Sequence, residues 1–234
     1  MTSDSSANSV HICRILLTLL EKKPQAIGQW NVELLLSTVA SLSSSLEQTA
    51  TTTTATVPFI SLCKLVELVI KKHRLRLEGH YHILLTALQH LLRDLLARQR
   101  PSGDEGSPAA AAAAVPPEVR AQAFARLVTL ICEPTAGAVS RMQFSSSLDS
   151  ATDAAKRSAG RHMYLVLMQY VKLQLEGDVP RPVREALEPA VNSIFGVTPP
   201  EGRKILNDAM DGSGRAILRD MYKRYTKFGK WSGV

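Results

Sequence analysis

Apolar residues recur at helical spacing along almost the whole chain, and no segment sustains the period-two alternation of a half-buried strand. Residues 80–99 show the pattern best: Leu84, Leu88, Leu91, Leu92 and Leu95 fall on one face. A chain built this way can bury its apolar surface only by packing helix against helix. Composition agrees: Leu and Ala abound, while aromatics are 5% of the residues.

About nine helices are predicted. The first covers 8–22, with Ile12, Ile15, Leu16, Leu19 and Leu20 at helical spacing, and Pro24 ends it. The second, 31–48, turns Leu34, Leu35, Val39, Leu42 and Leu46 inward. A third covers 58–76 and a fourth 80–99, parted by Gly79. The fifth begins at Pro116-Pro117-Glu118 and runs to 132. After an irregular connection, 133–148, a long sixth helix spans 149–176 and stops at Gly177. The last three cover 182–195, 199–210 and 213–228. Two stretches read as linkers: 49–57, rich in threonine, and 100–117, with prolines fencing an alanine run. Short turns between antiparallel helices point to an irregular α-solenoid-like bundle without an exact repeat, forming one domain over 1–234.

The three cysteines, Cys13, Cys63 and Cys132, lie far apart in apolar runs and read as buried thiols in a reducing compartment. The apolar run 15–20 is too short to span a bilayer, and no secretory signal pattern opens the chain, so a soluble intracellular protein is expected. No P-loop, GxSxG, HExxH or Rossmann fingerprint occurs. His80 and His82 stand two apart, so they do not share a helical face, and no other ligand set accompanies them. Neither catalysis nor a metal or cofactor site is supported.

The net charge of +7 suits a polyanion or an acidic protein. It gathers in two places. On a helix over 215–228, Arg215, Arg219, Lys223 and Lys227 form an outward stripe, and Ile217, Met221, Tyr225 and Phe228 an inward one. Gly229 then fits a C-cap, from which Trp231 folds back onto the last turn. Lys230 extends the basic run. The second cluster is Lys71, Lys72, Arg74 and Arg76, beside a polar helix–helix turn.

"HRLRLEGHYHILLTALQHLL" (73–92) and, above all, "GRAILRDMYKRYTKFGKW" (214–231) are similar to a known family. They resemble the C-terminal domain of the nucleolar preribosomal-associated proteins, the fungal unhealthy-ribosome-biogenesis proteins, second member. The signature is matched at Gly214, Arg215, Ala216, Tyr222, Tyr225, Lys227, Phe228, Gly229, Lys230 and Trp231. The resemblance implies a module of a longer, non-enzymatic assembly factor for the large ribosomal subunit precursor, working in the nucleolus during pre-rRNA processing. It implies as partners a larger scaffold relative, a DEAD-box RNA helicase complex and pre-rRNA, and it brings no catalytic residues. Direct RNA binding through the basic faces is the alternative reading.

Overall fold

The computed structural model describes residues 3–48, 59–97, 115–134 and 148–229. Helices α1 (Ser3–Lys22) and α2 (Gln29–Gln48) are joined through a 3-10 turn, Pro24–Ala26. Pro24 cannot continue α1 but starts this turn, and its carbonyl accepts from the Ile27 N–H at 3.1 Å. Helix α3 (Phe59–His73) passes through a second 3-10 turn, Arg74–Leu77, into α4 (Tyr81–Ala97). Gly79, at φ +82°, takes the left-handed conformation this reversal needs. The later helices are α5 (Pro117–Cys132), α6 (Leu148–Gly160), α7 (Tyr164–Glu176), α8 (Arg181–Val197), α9 (Pro200–Asp208) and α10 (Gly212–Lys227).

These helices stack in two layers. In one, α1 packs on α3, α3 on α5, and α5 on α8; in the other, α2 packs on α4, α4 on α7, and α7 on α10. Helix α6 rests on α5 and α8, and α9 on α7. Each helix meets mainly its neighbours in the stack, as in a solenoid. The core runs between the layers as one cluster, through Leu62, Val66 and Ile70, Leu88 and Leu91, Leu127 and Ile131, Leu167 and Val171, to Ile194 and Phe195. Burying each such side chain contributes about 1.5–3 kcal/mol. The described residues are all-α, without strands.

Three expectations need correction. The long helix over 149–176 is two helices, α6 and α7. Across the bend the hydrogen bonds tighten to three-residue spacing, His162 N–H to Ala159 O and Leu165 N–H to His162 O, each 3.0 Å. The bend buries Met163 completely and lets Gly160 press on the end of α8. The third helix ends earlier than expected, at His73. The inward face of α1 is Cys13 and Leu20 with Leu16 and Leu17 partly covered; Ile12, Ile15 and Leu19 are exposed, as is Leu34 on α2. A single-stripe reading fails here because α1 is apolar on two sides.

Cys13, Cys63 and Cys132 are buried and free. Burial pushes the Cys63 and Cys132 thiols well above the usual thiol range, so both stay protonated and unreactive. Among the described residues no helix is long and apolar enough to cross a membrane. The linker expected at 49–57 lies outside the described residues, as does 100–114; of the rest of the second linker, Val115 and Pro116 precede α5 and Pro117 opens it.

Candidate interaction surface on the last helix

Helix α10 is fixed at its start by Asp211, whose Oδ1 accepts from the Gly214 N–H at 2.7 Å. Gly214 is buried in this cap: a Cβ there would stand 2.9 Å from Asp211 Oδ1 and 3.1 Å from Met210 Sδ. Leu218 and Met221 follow at helical spacing and are buried, with Ile217 and Tyr225 packed beside them. Tyr222 and Tyr225 both meet Phe195 of α8, at ring-centroid distances of 5.3 and 5.5 Å. Arg203 of α9 clamps Tyr222 from outside, its guanidinium 5.7 Å from the ring centre and its Nη1 donating to the phenol oxygen at 3.2 Å.

The core contacts settle which side of α10 faces out. Arg215, Arg219, Lys223 and Lys227 stand one turn apart, and all are exposed. Asp211, four residues before Arg215, is committed to its cap, and Asp220 pairs with Arg224 at 2.7 Å. Arg215, Arg219 and Lys223 have no acidic partner among the described residues. Their charge is therefore available to a partner.

The aromatic assignments divide. Tyr222 and Tyr225 are held by Phe195, but Phe228, expected inward, is 63% exposed. Its ring lies under the Lys227 ammonium, 4.9 Å from ring centre to Nζ, so it belongs to the basic face. The helix ends at Lys227, one residue too early for Phe228 to continue the inward stripe. Leu218, absent from the expected stripe, occupies the covered position instead. Gly229 is not a left-handed cap; a Cβ there would crowd the Asn192 side chain at 2.7–2.9 Å. Lys230 and Trp231 lie outside the described residues. Accordingly, Leu218→Ala or Met221→Ala should each lower stability by about 2–4 kcal/mol. Phe228→Ala should change it by less than about 0.5 kcal/mol. Urea unfolding midpoints of the three variants check this order.

The second basic cluster does not hold together as a surface. Arg74 is buried and donates to the Leu130 and Ile131 carbonyls at 2.7 and 3.4 Å. Lys71 pairs with Glu67 on its own helix. Lys72 and Arg76 remain exposed. His80 Nδ1 lies 3.1 Å from the Glu33 carboxylate, and its ring centre 6.3 Å from that of His82. Among the described residues no group of three or more potential ligands could hold a metal ion.

One feature beside α10 has no clear mark in the sequence. A groove of about 330 Å³ between α7, α8 and α10 gathers Arg181, Arg184 and Arg224 with Glu185 and Glu188. Burial raises the pKa of Tyr170, at its wall, to about 12. Its two glutamates offset two of the three arginines, so it attracts a polyanion less than the outer face of α10.

The Urb2/Npa2 family model matches residues 10–234. The chain belongs to the Urb2/Npa2 family. That family is associated with ribosome biogenesis. Within the matched span lie α10, its cap and the two tyrosines that fix its inner face. Neither the curated proteins nor the solved structures offer a match to the chain.

Proposed function

We propose that this Urb2/Npa2-family chain is a non-enzymatic scaffold module for early large-subunit assembly and pre-rRNA processing in the nucleolus. The outer face of α10 is its docking surface. The observation that carries this reading is the row Arg215, Arg219 and Lys223, exposed and without acidic partners on a helix whose other side is locked in the core. A stacked-helix body suits scaffolding, because its extended faces can bind partners without a deep pocket. Its partners are preribosomal assembly proteins, among them a larger scaffold relative and a DEAD-box RNA helicase.

The same cations favour a second reading, direct contact with pre-rRNA. Salt separates the two. RNA held by the four cations of α10 would give a slope of log K against log salt of about −3, while a mainly apolar protein interface gives a shallow one. The test is sedimentation of the tagged protein in nucleolar extract, with salt titration of the complex it enters. Co-migration with large-subunit precursors and a shallow slope supports the scaffold. A steep slope moves the assignment to RNA binding. Migration away from all precursor particles overturns the proposal.

A further inference from the structure

Helix α1 is the outermost described helix of one layer, and part of its apolar surface is uncovered. Its inner side, Cys13 and Leu20 with Leu16 and Leu17, is taken by α3 and the core. On another side Ile12, Ile15 and Leu19 are 56%, 66% and 36% exposed, at the spacing of one helical stripe. A helix apolar on two sides is normally covered on both. Helix α2, which packs on α4 and α3, likewise exposes Trp30 and Leu34 one turn apart.

The chemistry around the stripe narrows what covers it. A shallow groove of about 560 Å³ runs along α1, with Ile15 and Leu19 as its apolar floor. Its rim is His11, Arg14, Lys22 and Lys23, and among the described residues no carboxylate lines it. Arg14, Lys22 and Lys23 have no acidic partner among the described residues. From His11 to Lys22 the groove is about 16 Å long, three helical turns. A nucleic-acid backbone would match the cations but leave the apolar floor unused.

We propose that the outer face of α1 binds an amphipathic helix of another protein that carries acidic residues along one flank. Its apolar residues, spaced i, i+3 and i+7, lie on Ile12, Ile15 and Leu19, and its carboxylates meet Arg14, Lys22 and Lys23. This surface is separate from α10 and does not depend on the function proposed above.

The test uses two labelled peptides with the same leucines at helical spacing, one with a glutamate flank and one with a lysine flank. Fluorescence anisotropy reads their binding to the full chain. The glutamate peptide should saturate, and the lysine peptide should bind at least about tenfold more weakly. Ile15→Glu should weaken the glutamate peptide about tenfold or more, and Ile15→Gln should weaken it without adding charge. Ile15 is exposed, so both variants should keep the parent melting temperature; should Ile15→Glu unfold, Ile15→Gln decides. Charge reversal on α10 should leave the peptide unaffected. Equal affinity for the two peptides, no binding of either, or no effect of Ile15→Gln overturns the proposal. So does a concentration-dependent dimer, or adsorption to phosphatidylserine vesicles, that Ile15→Glu abolishes. Those results would assign the stripe to a second copy or to lipid.

Discussion

Gly160→Ala should cost about 3 kcal/mol of stability, the upper end for overpacking a close-packed interior. Helix α6 ends at Gly160 and α8 ends at Val197, and the two ends touch. A Cβ on Gly160 would stand 2.1 Å from the Val197 carbonyl oxygen, more than an ångström inside ordinary contact. The obstruction is backbone, so no rotamer change relieves it; α8 or the bend into α7 must move. Phe195, two residues before Val197, is the ring that both α10 tyrosines pack on, so the displacement should loosen α10 as well. The higher helix propensity of alanine returns at most about 1 kcal/mol. Gly212→Ala is the control, because nothing lies within 4 Å of a Cβ there. Urea unfolding should show a large fall in midpoint for Gly160→Ala and almost none for Gly212→Ala. Equal midpoints would mean that the α6–α8 contact is not as close as described.

Arg74→Ala should cost about 2–4 kcal/mol, because it removes a buried donor and leaves a void. The side chain is 8% exposed, and its Nη2 donates to the Leu130 carbonyl at 2.7 Å. Leu130 and Ile131 lie in the last turn of α5, where carbonyls lack partners within the helix and a positive charge opposes the helix dipole. Without Arg74 those carbonyls lose their donor inside the protein. The loss is not larger because Arg74 Nε and Nη1 are themselves buried without hydrogen bonds, a cost the variant relieves. Arg74→Lys should recover only part, since an ammonium cannot reproduce the forked geometry. Lys72→Ala and Arg76→Ala, at exposed neighbours, should stay within about 0.5 kcal/mol. Thermal denaturation of the four variants gives the comparison; an Arg74→Ala protein as stable as the parent would return Arg74 to the list of surface cations.

Periodicity made most helices legible, because burial against a neighbour enforces it: α4, α5 and α8 lie close to where their apolar spacing put them. It failed where packing, not spacing, decides. Nothing local marks the bend after Gly160 except the glycine; its cause is the end of α8, more than thirty residues later. The sides of α1 could not be ranked because both are apolar, and only the position of α3 chooses between them. The outer row of α10 was readable because four cations recur each turn. Its inner row was misread by one position, Phe228 for Leu218. Among the basic residues of the second cluster, Arg74 looks like its neighbours in sequence, and only the distant end of α5 makes it structural.

The outer face of α10 is tested most directly by reversing Arg215, Arg219, Lys223 and Lys227 together to Glu and comparing melting temperature and precursor association in the same preparation. All four are exposed, and exposed charges contribute well under about 1 kcal/mol each to folding. The variant should therefore melt close to the parent and yet leave the large-subunit precursor fractions. If RNA were the partner, each lost phosphate contact would also flatten the salt slope by about 0.7–0.9. A variant that folds, binds RNA as before and still joins the precursor particles would show that this row of cations is only solvated surface.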